Sequence, residues 1–235
     1  MESMRTYGDA CAVASALDLI GDRWALLIVR ELLFGPKRFS DLRTGLPRIA
    51  PNRLSQRLRD LEEYGVVRRR TLGPTVGAQV FALSEWGRDF EGVLGELGQW
   101  GRRSPFRDLD AHLSVDSLML ALSGDVRPLA DTPAQVGYEL RFGNDRIHVH
   151  VAGNRIEVTR HEGGHPDVAV DTDVRTFTAL LTRAQSIPDA VEAGRLAIKG
   201  DPGLLQQLLD AVPRPEPAAD RDSSHTVAQP PGELR

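Results

Sequence analysis

Three polar residues with base-recognition chemistry occur at helical spacing in the stretch from 49 to 70. Asn52, Gln56 and Arg59 lie at i, i+4 and i+7, so a helix places them on one side. Asn and Gln amides form paired hydrogen bonds with adenine in the DNA major groove, and an Arg guanidinium does so with guanine. The spacing therefore indicates a helix that can read base edges of double-stranded DNA.

The same 22 residues contain six arginines. Arg53 and Arg57 flank the outward face of the expected helix, and Arg68, Arg69 and Arg70 follow it on an expected strand. Guanidinium groups in these places are suited to the phosphate backbone of DNA. The alternative is a solvated helix and hairpin whose arginines only increase solubility.

Positive charge is concentrated in one part of an acidic chain. The 235 residues have a formal net charge of −4, yet residues 37–70 hold 10 basic side chains against 4 acidic ones. Residues 1–104 hold 16 Lys and Arg against 13 Asp and Glu, whereas residues 105–235 hold 13 against 20. This asymmetry favours a local surface for a polyanion.

The remaining composition is that of a cytoplasmic globular protein. Hydrophobic residues make up 41% of the chain, and no apolar run reaches the roughly 18 residues that a membrane span requires. The start of the chain does not resemble a signal peptide. A single cysteine excludes an internal disulfide, which suits a reducing compartment.

The elements that position these residues are predicted from periodicity and capping. Helices are expected over 10–20, over 23–34 with Asp22 as N-cap, and over 40–44 with Ser40 as N-cap. A fourth helix begins at Pro51. Its buried stripe consists of leucines at i, i+4 and i+7: Leu54, Leu58 and Leu61.

After Gly65, the pattern predicts a hairpin and a long helix. Two short strands are expected over 66–71 and 79–83, around the turn-prone residues 73–77. Ser84 is expected to cap one long amphipathic helix that reaches Trp100. A hairpin that begins with cations after a helix with a polar reading face is typical of a winged helix-turn-helix domain.

A further set of residues between 10 and 103 carries a family resemblance. These residues are Cys11, Val13, Ile20, Gly21, Arg23, Trp24, Arg38, Phe39, Leu42, Arg43, Leu46, Pro47, Ile49, Leu54, Arg57, Leu58, Leu61, Glu62, Gly65, Val66, Val67, Arg69, Leu83, Ser84, Gly87, Leu97, Trp100 and Gly101. Together they resemble the HxlR-type transcriptional regulators, which have a MarR-like winged-helix fold. The resemblance implies a homodimer formed by the first and last helices of this domain. Such a dimer reads a palindromic operator with half-sites about 34 Å apart.

The chemistry and the resemblance together predict the DNA-contacting residues. The wing departs from the family pattern because residues 73–81 lack the usual pair of prolines, so its tip is expected to differ in length or shape. The predicted DNA contacts are Arg38, Ser40, Pro51, Asn52, Arg53, Ser55, Gln56, Arg57, Arg59, Arg68, Arg69, Arg70 and Thr75.

Cys11 allows two interpretations. Some family members use a cysteine at this place to sense oxidants or electrophiles, so the resemblance implies a redox-sensor role. The alternative, favoured by the residues, is a small buried thiol that packs the first helix against its neighbours. Asp9 is expected to raise the pKa of this thiol, and no cation precedes Cys11 more closely than Arg5.

Beyond residue 104 the hydrophobic period changes from helical to alternating. Apolar residues occupy every second position over 136–142, 147–151 and 156–158, with turn signals between these runs. This predicts an antiparallel sheet with one buried face. Helices are expected over 173–184 and 188–194, followed by a strand over 196–199. A last helix is expected to be capped by Asp201.

This half resembles the sterol-carrier-protein fold over residues 109–212. The resemblance rests on residues 143–147, on Ile156 and Val158, on the helix with Phe177, and on the stretch 194–201. It implies an apolar ligand pocket. The expected lining residues, each of which could equally be plain hydrophobic core, are Leu118, Leu122, Tyr138, Leu140, Phe142, Val149, Val151, Phe177 and Leu181.

No catalytic, metal or cofactor motif emerges. His148 and His150 share one strand face but suit a solvated surface better than a metal site, and Asp173 is more simply a helix cap than a ligand. No nucleophile–base pair is apparent, so we expect a protein that is not an enzyme.

The overall expectation is an α+β chain. A winged-helix DNA-binding and dimerisation domain occupies 1–104, a sterol-carrier-like domain 109–212 and a disordered tail 213–235. The expected function is a dimeric transcriptional regulator controlled by a small hydrophobic effector. The alternative is a lipid or small-molecule carrier in which the winged helix mainly dimerises.

Overall fold

The computed structural model describes residues 6–72, 77–108, 111–125, 135–160 and 165–212. Four helices come first, then a two-stranded hairpin, then two more helices. Their bounds are α1 Ala12–Ile20, α2 Ala25–Leu32, α3 Phe39–Gly45, α4 Pro51–Glu63, β1 Val67–Leu72, β2 Ala78–Leu83, α5 Glu85–Arg88 and α6 Phe90–Arg102.

Helix α4 is confirmed at both ends and along its buried stripe. Pro51 occupies the first helical turn, and Leu54, Leu58 and Leu61 are at most 1% exposed. At the C-terminus Gly65 adopts φ 74°, in the left-handed region that favours glycine. The amides of Gly65 and Val66 donate to the carbonyls of Glu62 and Leu61, which is a Schellman termination.

Two local predictions, for the starts of α2 and α3, are wrong. Helix α2 begins at Ala25 rather than Arg23, because the side chain of Asp22 accepts a hydrogen bond from the amide of Trp24 in a turn before the helix. Ser40 lies inside α3 and does not cap it. Instead the Asp41 carboxylate accepts from the amide of Arg38 at 3.0 Å.

The predicted long helix after Ser84 is interrupted. The hydroxyl of Ser84 accepts from the amide of Gly87 at 2.9 Å and caps the short helix α5, as its predicted role requires. A turn at Asp89 then separates α5 from α6. Gly87 packs on the backbone where the hairpin begins, since a Cβ there would lie 2.2 Å from the carbonyl oxygen of Val66.

The hairpin is also tied to the segment before α3. Lys37 and Phe81 form an antiparallel bridge with two backbone hydrogen bonds of 2.9 and 2.8 Å. This contact holds β2 next to the start of α3. No local sequence pattern indicates this bridge.

The second half contains a six-stranded sheet with helices. Its elements are α7 Val115–Leu122, β3 Gly124–Asp125, β4 Gln135–Phe142, β5 Asp145–Ala152, β6 Arg155–Thr159, β7 Val168–Thr172, α8 Val174–Leu181, α9 Ile187–Glu192, β8 Leu196–Lys199 and α10 Pro202–Ala211. The strand order is β3-β6-β5-β4-β7-β8. The prediction of an antiparallel sheet is wrong for one pair, because β4 and β7 run parallel.

Helix caps in this half agree with the sequence. The carboxylate of Asp173 accepts from the amide of Thr176 at 2.8 Å and caps α8, and Asp201 caps α10 through the amide of Gly203. The predicted alternation on β4 is confirmed, since Val136, Tyr138, Leu140 and Phe142 are buried. The predicted disordered tail lies outside the described residues.

The two halves have separate apolar cores that meet at α7. Leu118, Met119 and Leu122 belong to the core under the sheet. Leu120, on the same helix, packs against the winged-helix core, and Phe34 at the end of α2 packs against the sheet core. Helix α7 and Phe34, two residues after α2, therefore make apolar contacts between the halves.

A buried ionic cluster reinforces this contact. The ammonium of Lys37 lies 2.9 Å from Glu31 Oε2 and also binds the carboxylate of Asp116. The Asp116 carboxylate in turn receives Arg160 at 3.1 Å. Ser114 donates to Glu31 Oε1 at 2.5 Å. We call these five residues the junction cluster; it joins α2 to α7 and to the residue after β6.

The junction cluster shifts the pKa values of its two carboxyl groups in opposite directions. For Asp116, burial outweighs the attraction of Lys37 and Arg160 and raises the pKa. For Glu31, burial also acts to raise the pKa. The charges of Lys37 and Arg30 and the hydroxyl of Ser114 together outweigh burial, so the pKa of Glu31 is lowered.

Within the described ranges no helix has the length and apolarity to cross a membrane. Over those same ranges no group of three or more His, Cys, Asp or Glu side chains is arranged to hold a metal ion.

Candidate nucleic-acid interface

The outward face of α4 presents the side chains that the spacing singled out. Asn52, Arg53 and Arg59 are exposed, and Ser55 and Gln56 are half-buried at the edge of the helix. Pro51 is exposed at the start of the helix. The N-terminal turns of α4 thus carry amide and guanidinium groups toward solvent, as base recognition in the major groove requires.

Gln56 is held in a chain of hydrogen bonds along the helix. Its amide nitrogen donates to Asp60 Oδ1 at 2.8 Å, and its amide oxygen accepts from Arg59 Nη2 at 2.5 Å. These contacts fix the direction of the amide before any ligand arrives. A base that replaces either contact must compete with an existing hydrogen bond.

Arg57 forms two ion pairs within the DNA-binding half. Its guanidinium lies 2.9 Å from Asp60 Oδ2 and 3.3 Å from Asp22 Oδ2, with the side chain 21% exposed. The pair with Asp22 ties α4 to the turn before α2. In this arrangement Arg57 positions α4, and the prediction that it contacts DNA remains untested.

The three arginines of β1 do not share one environment. Arg68 and Arg69 are exposed on successive, opposite-facing positions. Arg69 pairs with Glu62 at 3.0 Å and lies over the ring of Phe81, 5.4 Å from its centroid. Arg70 lines a cavity between the two halves of the chain.

The other predicted DNA contacts lie near α3 and on the wing tip. Arg38 and Ser40 are exposed at the beginning of α3, and the Ser40 hydroxyl bonds to Asp41 at 3.1 Å. Thr75 falls outside the described residues. The predicted residues of α3 and α4 are thus exposed or half-buried, and Thr75 is the predicted contact that the described residues do not include.

The exposure of Cys11 contradicts the interpretation that it is a buried packing thiol. It is exposed immediately before α1. Hydrogen bonds from the amides of Ala14 and Val13 lower the pKa of the thiol. The carboxylate of Asp9 accepts the amide of Cys11 at 2.9 Å, and the pKa of the thiol is lowered rather than raised as expected. The sensor role itself stays a prediction.

The predicted pocket residues of the second half lie together in one apolar core. Phe142 and Phe177 form an edge-to-face pair with centroids 5.6 Å apart, and the Tyr138 hydroxyl donates to the carbonyl of Leu204 at 3.1 Å. Burial followed by the charge of Asp167 raises the pKa of Tyr138 to about 12. The buried members are Leu118, Leu122, Tyr138, Leu140, Phe142, Val149, Val151 and Phe177, and Leu181 packs partly buried against them.

The junction cluster was missed by the sequence analysis. One signal was present: Glu31 is an acidic residue on the apolar stripe that Ile28 and Leu32 define at i−3 and i+1. A charge on a buried stripe requires a partner. Its partners could not be read from the sequence, because Asp116 and Arg160 are remote along the chain.

Comparisons with known proteins match both halves. The HxlR-like helix-turn-helix family model matches residues 19–107, and the SCP-2 sterol transfer family model matches residues 120–212. YvaP of Bacillus subtilis strain 168, described as an uncharacterized HTH-type transcriptional regulator, is 38% identical over 85 residues, which are 36% of this chain and 79% of that protein.

A second relative and a solved structure are also similar to part of the chain. The HTH-type transcriptional regulator YodB of Bacillus subtilis strain 168 is 36% identical over 86 residues, 37% of this chain and 77% of that protein. The structure of the reduced form of YodB shows 32% identity, covers 42% of this chain and 97% of that chain, and superposes with a TM-score of 0.37. The chain belongs to the HxlR-like helix-turn-helix family of DNA-binding transcriptional regulators, and its residues 120–212 match the SCP-2 sterol transfer family model.

Proposed function

We propose that the protein acts as a homodimer that reads a palindromic operator through α4 and is controlled by a small hydrophobic effector in its C-terminal half. It regulates transcription and is not an enzyme. The observation that carries the proposal is the outward face of α4. Asn52 and Arg53 project there from the first turns of a helix whose opposite face is fully buried.

Dimer formation is supported by exposed apolar side chains on α1 and α6. Val13 is 66% exposed, Val93 54% and Trp100 72%, and Leu17 and Leu97 are exposed on the same two helices. Such a set is costly to leave in water, and its cover in this proposal is the same surface of a second copy. Two copies related by a two-fold axis would present two α4 helices to a two-fold symmetric site.

Effector control is supported by the position of the SCP-2 region. Its core residues on α7 are contiguous with the residues that pack against the winged helix. An apolar ligand that enlarges the sheet core would act on α7. It would regulate DNA binding only if it bound the DNA-competent and DNA-incompetent dimers with different affinities.

The test compares affinity for the operator with affinity for an unrelated duplex, by fluorescence anisotropy at fixed salt. Gln56→Ala should reduce the ratio of the two affinities about tenfold, since one bidentate base contact contributes about 1–3 kcal/mol of discrimination. Arg68→Ala should weaken both duplexes alike and reduce the salt dependence by about one phosphate contact.

The matched control is Gln135→Ala, which removes an exposed glutamine on β4. It should leave both affinities unchanged. A wild-type protein that binds all duplexes equally would contradict the proposal and favour the carrier alternative, in which the winged helix mainly dimerises.

A further inference from the structure

A cavity of 440 Å³ lies between the two halves of the chain, outside both the α4 surface and the core under the sheet. Its walls come from the end of α2 and the residues after it, from the hairpin, from α5 and α6, and from the end of β6. The lining residues used below are Leu33, Phe34, Arg70, Arg88, Val158 and Arg160. Its volume is in the usual range for small-molecule sites.

The lining carries an excess of positive charge. Of the described residues in the cavity wall, three are cationic, Arg70, Arg88 and Arg160, and one is acidic, Glu91. Arg160 is already paired with Asp116 and Asp145. The guanidinium groups of Arg70 and Arg88 have no hydrogen bond or ion pair among the described residues. Among the described residues, therefore, no carboxylate forms an ion pair with the two cations Arg70 and Arg88 of the cavity wall.

Arg160 also leaves one donor unused. Its Nε is buried and finds no acceptor in the described part of the chain, although its other nitrogens bind the two carboxylates. A buried donor without a partner costs free energy that an acceptor in the cavity would recover. Around these donors stand apolar side chains, those of Leu33, Phe34 and Val158.

We propose that this interdomain cavity binds an amphipathic organic anion. An acid group, such as a carboxylate, would pair with Arg70 and Arg88, and an apolar body would lie against Leu33, Phe34 and Val158. Planar guanidinium groups pair with carboxylates through two parallel hydrogen bonds, which makes arginine well suited to this role.

The site goes beyond effector binding in the sheet core because it is contributed by both halves. Arg70 belongs to β1 of the DNA-binding half and Arg88 to α5, whereas Val158 and Arg160 come from the SCP-2 region. A bound anion would contact the hairpin and the SCP-2 region at once. Its binding free energy would therefore depend on how these two parts are arranged.

The test uses 2-naphthoate and its neutral analogue 2-naphthalenemethanol, measured by isothermal titration calorimetry on the full chain. The two probes share one apolar body and differ in charge. We expect 2-naphthoate to bind one molecule per chain and at least tenfold more tightly than the alcohol. Arg88→Gln and Arg70→Gln should each weaken naphthoate about tenfold or more and leave the alcohol unchanged.

The control variant is Arg155→Gln, an exposed arginine on the neighbouring part of β6 that does not line the cavity. It should bind naphthoate as the wild type does. Equal affinity of the wild type for the two probes would overturn the inference, and this comparison needs no variant to fold.

Two other outcomes would also overturn it. One is the absence of saturable naphthoate binding up to about 5 mM, the weak limit of a useful site. The other is naphthoate binding that survives both arginine changes, which would place the ligand in the sheet core. The second outcome would leave the proposed effector control intact, and a failure of operator binding would leave this cavity unaffected.

Discussion

Removal of the Lys37 ammonium should destabilise the protein more than any other single loss of charge in the junction cluster. The chain contains only two lysines, Lys37 and Lys199, among 29 basic residues. Lys37 bridges two buried carboxylates, Glu31 at 0% and Asp116 at 2% side-chain exposure, and is itself 13% exposed. Lys37→Met keeps most of the apolar stem and removes the charge.

The expected loss of stability depends on which cations remain beside the two carboxylates. Breaking a buried ion pair by removing one partner typically costs about 3–5 kcal/mol, because the other charge is left without compensation. Arg30 still reaches Glu31 at 2.7 Å, and Arg160 still reaches Asp116 at 3.1 Å. These remaining cations place the expected cost near the lower limit, about 3 kcal/mol.

Urea denaturation followed by tryptophan fluorescence measures this cost. Trp24, Trp86 and Trp100 all lie in the DNA-binding half, so the signal reports its unfolding. With a urea slope of about 1–3 kcal/mol/M, the midpoint should fall by roughly 1–3 M. The control Lys199→Met removes an exposed charge on β8 and should change stability by less than about 0.5 kcal/mol.

The pH dependence gives a second, independent signature. Without Lys37, the pKa values of Glu31 and Asp116 in the folded protein should both rise above their unfolded values. A carboxyl group whose folded pKa is raised costs stability above its unfolded pKa, and this cost falls as the pH drops through the folded pKa. The deficit of the variant should therefore shrink as the pH falls from neutral toward the unfolded pKa of a carboxyl group. A variant within about 1 kcal/mol of Lys199→Met at neutral pH would refute this account of the junction cluster.

Three further predictions concern other parts of the DNA-binding half. Gly87→Ala should destabilise by about 1–3 kcal/mol because its Cβ would meet the Val66 carbonyl, whereas Gly92→Ala, with open space around it, should be neutral or stabilising in thermal unfolding. Leu97→Glu should convert a dimer into a monomer, as measured by light scattering, and an unchanged dimer would contradict the proposed α1–α6 interface. Cys11 should be alkylated by iodoacetamide with an apparent pKa below that of a free cysteine, and a pKa at or above the free value would contradict its environment.

Short-range signals made much of the fold predictable. The leucine stripe of α4, Pro51 at its start and Gly65 at its end are local features, and each was confirmed in place. The alternation on β4 also predicted its buried face correctly. A one-residue change of register would turn every apolar side chain outward, so the sequence pattern determines which face is buried. The caps Asp173 and Asp201 likewise act within three residues of their own positions.

Features that depend on remote partners were not predictable. The parallel pairing of β4 with β7 joins residues about 30 positions apart, and no local pattern distinguishes it from antiparallel pairing. Glu31 meets Ser114 only after the two halves fold together. The hydrogen bonds that engage Gln56 are local, but a periodicity argument assigns a face to a residue and does not assign its partners.

The candidate DNA-binding surface likewise has some features that are predictable from the sequence and others that are not. The sequence placed Asn52, Gln56 and Arg59 on one side of a helix, and they lie there. It could not show that Arg57 is paired inside the domain or that Arg70 lines the cavity between the halves. Both the pairing of Arg57 and the position of Arg70 depend on tertiary contacts, which cannot be inferred from the number of charged residues in the segment.

The most direct test of the central proposal is selection of bound duplexes from a pool of random DNA, with the full chain as bait. We expect enrichment of a two-fold symmetric motif whose half-site centres are about 10 base pairs apart, because two α4 helices of a dimer would enter successive major grooves. Loss of the motif with Gln56→Ala and its retention with Gln135→Ala would assign the reading to α4. A pool that shows no enriched motif after selection would contradict the account.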